Sequence, residues 1–205
     1  MRLAYVFPNL GGRGMFSKYI DLENETLINH CARLSENSHD ISLIYKIYMN
    51  TKNYTNYVPN NVLQKASETL VMGRGNNFSK NILLFSLLKI NGFECELKYK
   101  YIVDNSKVIA CRNNIIIPWF FVHVNYLGKN LELDCSLDGA YQKAAGVAFD
   151  ENDMEYSVEK YMVNDMSAFA PVSIDGEDSE EKVLKILTKQ GRAQIYSRAR
   201  GIVYV

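Results

Sequence analysis

Residues 78–91, FSKNILLFSLLKIN, place Phe78, Ile82, Leu83, Leu84, Phe85, Leu87, Leu88 and Ile90 around nearly the whole circumference of a helix. Lys80, Ser86 and Lys89 are left on a thin polar stripe. A helix apolar on most of its surface has to be covered on most sides, so the rest of the chain must be arranged around this one. Asn77 offers a side-chain oxygen to cap the first free backbone N–H groups, and Gly92 is the residue expected just past the C-terminus.

After Gly92 the apolar period changes from helical to alternating. Cys95, Leu97, Tyr99, Tyr101 and Val103 alternate with Glu96, Lys98 and Lys100, which predicts a strand with one buried face. Asp104-Asn105-Ser106 predicts a turn, KVIAC a second strand, and IIIPWFFVHVNYL a third, in which Pro118 implies an edge or a bulge. Gly128-Lys129 then turns the chain into LELD.

Before the central helix, Leu22, Leu27, Ile28, Cys31 and Leu34 recur at helical spacing. HDISLIYKIYM fits helix or strand, and NTKNYTNYVPNN reads as a polar loop closed by Pro59. A further helix is expected from about Asn61 to Met72. In the tail, Asp178 and Glu181 suit a capping box ahead of Val183, Leu184, Ile186 and Leu187, and GIVYV reads as a last strand.

The fold class that follows is α+β in one compact domain, residues 1–205. Residues 1–92 are mainly helical and include the buried central helix. Residues 93–140 form an antiparallel sheet or barrel packed on that helix, and residues 141–205 a short C-terminal α/β segment.

Charge narrows the partners. With 23 basic and 23 acidic side chains the net charge is zero, so no general pull toward nucleic acid or anionic lipid is expected. The start, MRLAYVFPNLGG, has too short an apolar run for a signal peptide, and no window approaches a membrane span; the expectation is a cytoplasmic protein. Cys31, Cys95, Cys111 and Cys135 lie far apart without a CxxC pair, which suggests reduced thiols and neither a zinc site nor a disulfide framework. His30 stands beside Cys31, but adjacent helical positions point about 100° apart, so the pair is not read as a metal site.

Arg74-Gly75, Phe78, Asn81, Leu83 and Gly92-Phe93, with LQKASETLVMGRG leading in, resemble the surroundings of the nucleophile in the arylamine N-acetyltransferases, within the papain-related superfamily that includes the transglutaminase-like proteins. The resemblance covers residues 15–140. It implies a cysteine-proteinase-like fold, with a Cys at the N-terminus of the buried helix, a His on a neighbouring strand to take its proton and an Asp to orient the His. In this chain the Cys position falls on Asn77, the His position on Trp119 and the Asp position on Asp134.

The resemblance further implies acetyl-CoA or another acyl thioester as donor and a small-molecule amine as acceptor. The family's third segment, which helps enclose acetyl-CoA, is longer than residues 141–205, so coenzyme A does not carry over with the rest. With the nucleophile and the base both absent, the reading is a degenerate member that binds or scaffolds, with an active paralogue as one conceivable partner. The alternative is an acyltransferase or amide-forming enzyme that works by substrate proximity or through a relocated Cys.

Each of these residues also has a plain structural reading. Asn77 can be a helix cap, Trp119 core, and Asp134 the cap of the turn DCSLDG. His123 lies four residues beyond Trp119 on the same strand face, roughly 13 Å along it at ~3.3 Å per residue. It is a hydrogen-bonded sheet histidine or a relocated base serving Cys111 or Cys135.

Overall fold

A computed structural model describes residues 15–59, 62–104, 115–144, 163–165 and 184. The chain opens with a 3₁₀ turn, Met15–Tyr19, followed by α1 (Glu25–Ser35) and α2 (Asp40–Tyr54). The helix expected from Leu22 starts later because Asn24 takes extended backbone and its Oδ1 accepts from Thr26 N–H at 2.9 Å. The ambiguous stretch HDISLIYKIYM is helical, and the helix runs on through Tyr54 into what reads as loop. Leu43, Ile44, Ile47, Tyr48, Thr51 and Lys52 are its buried residues, and burial of that stripe carries the helix past polar Asn50.

Two short strands, β1 (Asn56–Tyr57) and β2 (Arg74–Gly75), pair in parallel on either side of α3 (Ala66–Met72). α3 begins later than the expected Asn61 because Glu68 reaches back to the Lys65 N–H at 2.9 Å and fixes the start there. It ends at Gly73, whose φ of 59° is left-handed.

α4 (Asn77–Ile90) is the central helix, with every residue from Asn77 to Leu88 buried. It packs against α1, α2 and α3 on one side and against the sheet on the other. That sheet has the order β5-β4-β3-β6, built from β3 (Cys95–Asp104), β4 (Ile115–Tyr126), β5 (Lys129–Leu133) and β6 (Val163–Asp165), with every pairing antiparallel. A short helix, α5 (Gly139–Ala144), follows β5. The architecture is mixed α+β, and the described sheet is open, with β5 and β6 at its edges, so the barrel alternative is corrected.

The expected strand KVIAC, the final strand GIVYV and most of the tail helix lie outside the described residues; Leu184 is helical and buried. Pro118 stands in β4, which has neighbours on both sides, and not on an edge strand. It is tolerated because the β5 ladder stops at Val122↔Leu133, leaving Pro118 paired, among the described residues, with Tyr101 of β3 alone.

Between α4 and the sheet lies an aromatic cluster. Phe78 and Phe120 stack edge to face with centroids 4.9 Å apart, and Phe16 meets both at 5.6 and 5.5 Å. Such pairs add about 0.5–1.5 kcal/mol each beyond area burial.

Gly75 sits between α3 and α4. A Cβ there would lie 3.1 Å from Ser79 Cβ, 3.1 Å from Thr69 Cγ2 and 3.3 Å from Lys80 Cγ, so α3 and α4 approach each other across a residue with no side chain. Gly75→Ala is expected to cost about 1–3 kcal/mol through overpacking. Urea denaturation checks this, and a cost near zero would mean the two helices can simply part.

Candidate functional site

The two asparagines ahead of α4 divide the work expected of one. Asn76, in extended backbone, is the N-cap: its Oδ1 accepts from Ser79 N–H at 2.9 Å. Asn77 is therefore not the cap but the first helical residue, and its carboxamide is free to face the sheet. Its Oδ1 accepts from Phe120 N–H at 2.7 Å, while its Nδ2 donates to Phe120 C=O at 2.9 Å and to Ser136 Oγ at 2.6 Å.

Phe120 lies two residues past the last β4–β5 pair, on the side that β5 has vacated. The Asn77 carboxamide supplies one donor and one acceptor to that residue, as the peptide unit of a further strand would. It continues the ladder from the end of a helix.

Trp119 points the other way from Phe120, as strand alternation requires, and lies near the Tyr57 ring at 6.4 Å between centroids. Its indole N–H donates to Asp134 Oδ2 at 2.6 Å. Asp134 follows β5 directly, so Trp119 and Asp134 meet across neighbouring antiparallel strands. The other carboxylate oxygen, Oδ1, accepts from Ser136 N–H at 2.9 Å, from the Ser136 hydroxyl and from Asn81 Nδ2 at 3.3 Å. Asp134 thus caps the turn after β5 and also holds the indole. Asn77 and Trp119 share no direct hydrogen bond among the described residues and are linked through Ser136 and Asp134.

Asn81, one turn after Asn77 on α4, locks the same loop. Its Nδ2 also reaches Phe120 C=O and Ser136 Oγ, each at 3.0 Å, and its Oδ1 faces the Cys135 thiol at 3.6 Å. Asn77, Trp119 and Asp134 are only 6%, 2% and 4% exposed, so these positions are buried and do not line an open cleft among the described residues.

Lys80, fully buried on the next face of α4, donates to Lys52 C=O at 3.0 Å and Thr55 C=O at 2.5 Å, where it caps the C-terminus of α2. Burial lowers its pKa from 10.5 to about 8, against the opposing pull of Cys135, Asp138 and Asp134. Asp138 accepts from Tyr57 N–H at 2.5 Å and from Tyr141 N–H at 2.8 Å, tying β1 to the start of α5. Burial raises the pKa of Asp134, with its hydrogen bonds to Ser136, Trp119 and Asn81 acting the other way.

Burial likewise pushes Cys31, Cys95 and Cys135 up to about 12, so none of the three holds a thiolate near neutrality. Cys111 lies outside the described residues. His123 sits half-buried on β4, opposite Glu96 of β3 and Glu132 of β5, and makes no hydrogen bond with Asn77, Asp134 or Cys135 among the described residues.

A carboxamide is a weak nucleophile and an indole is a donor with no usable base. What the arrangement does chemically is satisfy buried backbone groups. Asn81, Ser136, Lys80 and Asp138 complete it and were not singled out as site residues from the sequence. The signal was present for two of them, since a polar residue inside an otherwise apolar helix must find a partner.

Among the described residues no group of three or more His, Cys, Asp or Glu side chains is placed to hold a metal ion, and no helix is long and apolar enough to cross a membrane. The chain matches no protein-family model, no curated protein and no solved structure.

Proposed function

We propose that this chain is a degenerate relative of the arylamine N-acetyltransferases and transglutaminase-like proteins, with a cysteine-proteinase-like arrangement of helix and sheet, and that it acts as a binding or scaffold protein. The observation that carries the reading is the Trp119 indole N–H on Asp134, beside a buried helix whose first residue is Asn77. The positions that resemble a Cys, His and Asp set are gathered around one loop, yet they carry a carboxamide and an indole and are closed to solvent. A proximity-driven acyltransferase would need two substrates at this place, and burial of Asn77, Trp119 and Asp134 speaks against their entry among the described residues. A relocated nucleophile at Cys135 would need a thiolate, which burial disfavours.

The test is consumption of acetyl-CoA with a panel of aryl and alkyl amines. The unaltered protein is expected to give no turnover above buffer, because losing both nucleophile and base removes several orders of magnitude in rate. Asn77→Cys alone is expected to add little. Asn77→Cys with Trp119→His restores both groups beside Asp134, and is the variant in which turnover would support the family reading. Turnover in the unaltered protein that is blocked by a thiol reagent and abolished by Cys111→Ala or Cys135→Ala would overturn the non-catalytic reading.

A further inference from the structure

A cavity of about 350 Å³ opens among α1, α2 and α3, lined by His30, Arg33, Leu34, Asn50, Tyr54, Thr55 and Leu70. None of these residues belongs to the Asn77, Trp119 and Asp134 core. The lining comes from two helical faces turned toward each other: His30, Arg33 and Leu34 are neighbours at i, i+3 and i+4 on α1, and Asn50 and Tyr54 at i and i+4 on α2. Leu34 is buried and, with Leu70, supplies apolar wall.

The polar groups at the cavity are chiefly donors. His30 Nε2 and Asn50 Oδ1 lie 2.9 Å apart, so the Asn50 oxygen is engaged by the ring and its NH₂ group remains to donate. Among the described residues the Arg33 guanidinium makes no ion pair or hydrogen bond, and none of those lining the cavity is Asp or Glu. Tyr54, 78% exposed, brings an aromatic ring and a hydroxyl. A guanidinium and an amide N–H₂ without a facing carboxylate select an anion, and a planar carboxylate is the group whose geometry the guanidinium fork matches. The apolar wall and the Tyr54 ring suit a ring or short hydrocarbon attached to it.

We propose that this cavity binds a small organic carboxylate carrying an aromatic ring, with Arg33 and Asn50 holding the carboxylate and Leu34, Leu70 and Tyr54 the ring. The site stands apart from the family reading and does not depend on it.

The experiment titrates the protein with phenylacetate and 3-phenylpropionate, and with their uncharged amides, following backbone amide shifts by NMR. Saturable binding with a Kd of about 1 mM or tighter is expected for the acids, with shifts centred on His30, Arg33, Asn50 and Tyr54. The amides are expected to bind about tenfold or more weakly, and Arg33→Gln to weaken the acids by a similar factor. Arg33 is exposed, so this variant should keep the fold, which its own spectrum checks. Leu70→Trp, which fills the cavity, should abolish binding of acid and amide alike. Acids and amides binding equally, acid affinity unchanged in Arg33→Gln, shifts centred elsewhere, or no saturation by about 10 mM would each overturn the proposal.

Discussion

Replacing Asn77 by alanine is expected to destabilise the protein by about 3–5 kcal/mol, as much as truncating a large apolar side chain in the same α4–β4 contact. The truncation leaves the N–H of Phe120 buried without a partner and its C=O with only Asn81, and removes a donor from Ser136. An orphaned buried polar group costs about 1–3 kcal/mol, and here more than one is affected. Asn76→Ala is the control, since it removes the helix cap to Ser79, a loss of about 1 kcal/mol, and leaves the Phe120 backbone contacts in place. Midpoints of urea unfolding at equal slope separate the two. If both variants lost the same stability, Asn77 would not be acting as a surrogate strand. The same reasoning makes Asn77→Cys a destabilised protein, so the restored enzyme of the acetyl-transfer test should be assayed in the cold.

A second large effect should appear against pH. Lys80 titrates at about 8 in the folded protein but at 10.5 when exposed. Between these values the unfolded chain binds a proton that the native protein does not, so stability rises with pH through this group. The contribution is absent below pH 8 and grows by about 1.4 kcal/mol per unit above it. The three buried thiols run the other way. Each titrates at 9.0 when exposed and at about 12 when folded, so above pH 9 the unfolded chain releases its protons first and stability falls.

Asp134, raised by burial, also lowers stability as pH climbs out of the ordinary carboxylate range. Comparison with Lys80→Met removes the lysine while Cys31 and Cys95 titrate as before; Cys135 loses the Lys80 charge that lowers its pKa, which affects the difference only in the alkaline range where that thiol titrates. The stability of the unaltered protein minus that of the variant should be flat up to about pH 8 and then climb. A flat difference from pH 7 to about 10 would mean that Lys80 keeps its proton in the fold through contacts other than those seen.

Much of the core could be read in one dimension. The period of Ile82, Leu83, Leu84, Phe85, Leu87 and Leu88 required a buried helix, and the alternation from Cys95 to Val103 required a strand. These survive because apolar burial acts on the local pattern whatever the neighbours are. Helix starts fared worse. At α1, α3 and α4 the start was set by Asn24, Glu68 and Asn76, and several nearby polar residues could have served equally well in sequence. β6 was not foreseen at all, because VND of itself carries no strand signal and is a strand only through its pairing with β3.

The candidate site divides along the same line. The assignment of Asn77, Trp119 and Asp134 to nucleophile, base and orienting-acid positions is a proposal that rests on the resemblance of the sequence to a known family. The absence of a thiol and an imidazole at those positions could be read as well. Sequence could not say that Asn77 would turn its carboxamide onto the Phe120 backbone, because that depends on where β5 stops in space. The resemblance already set Trp119 beside Asp134, but sequence could not join Asn81 and Ser136 to them, or open a cavity between His30 on one helix and Tyr54 on the next. Period and composition determine which faces must be buried, since burial is a property each residue carries with it. Which polar groups then meet is decided by the tertiary structure, because a hydrogen bond needs a partner within about 3 Å and a suitable angle, and only the assembled fold sets both.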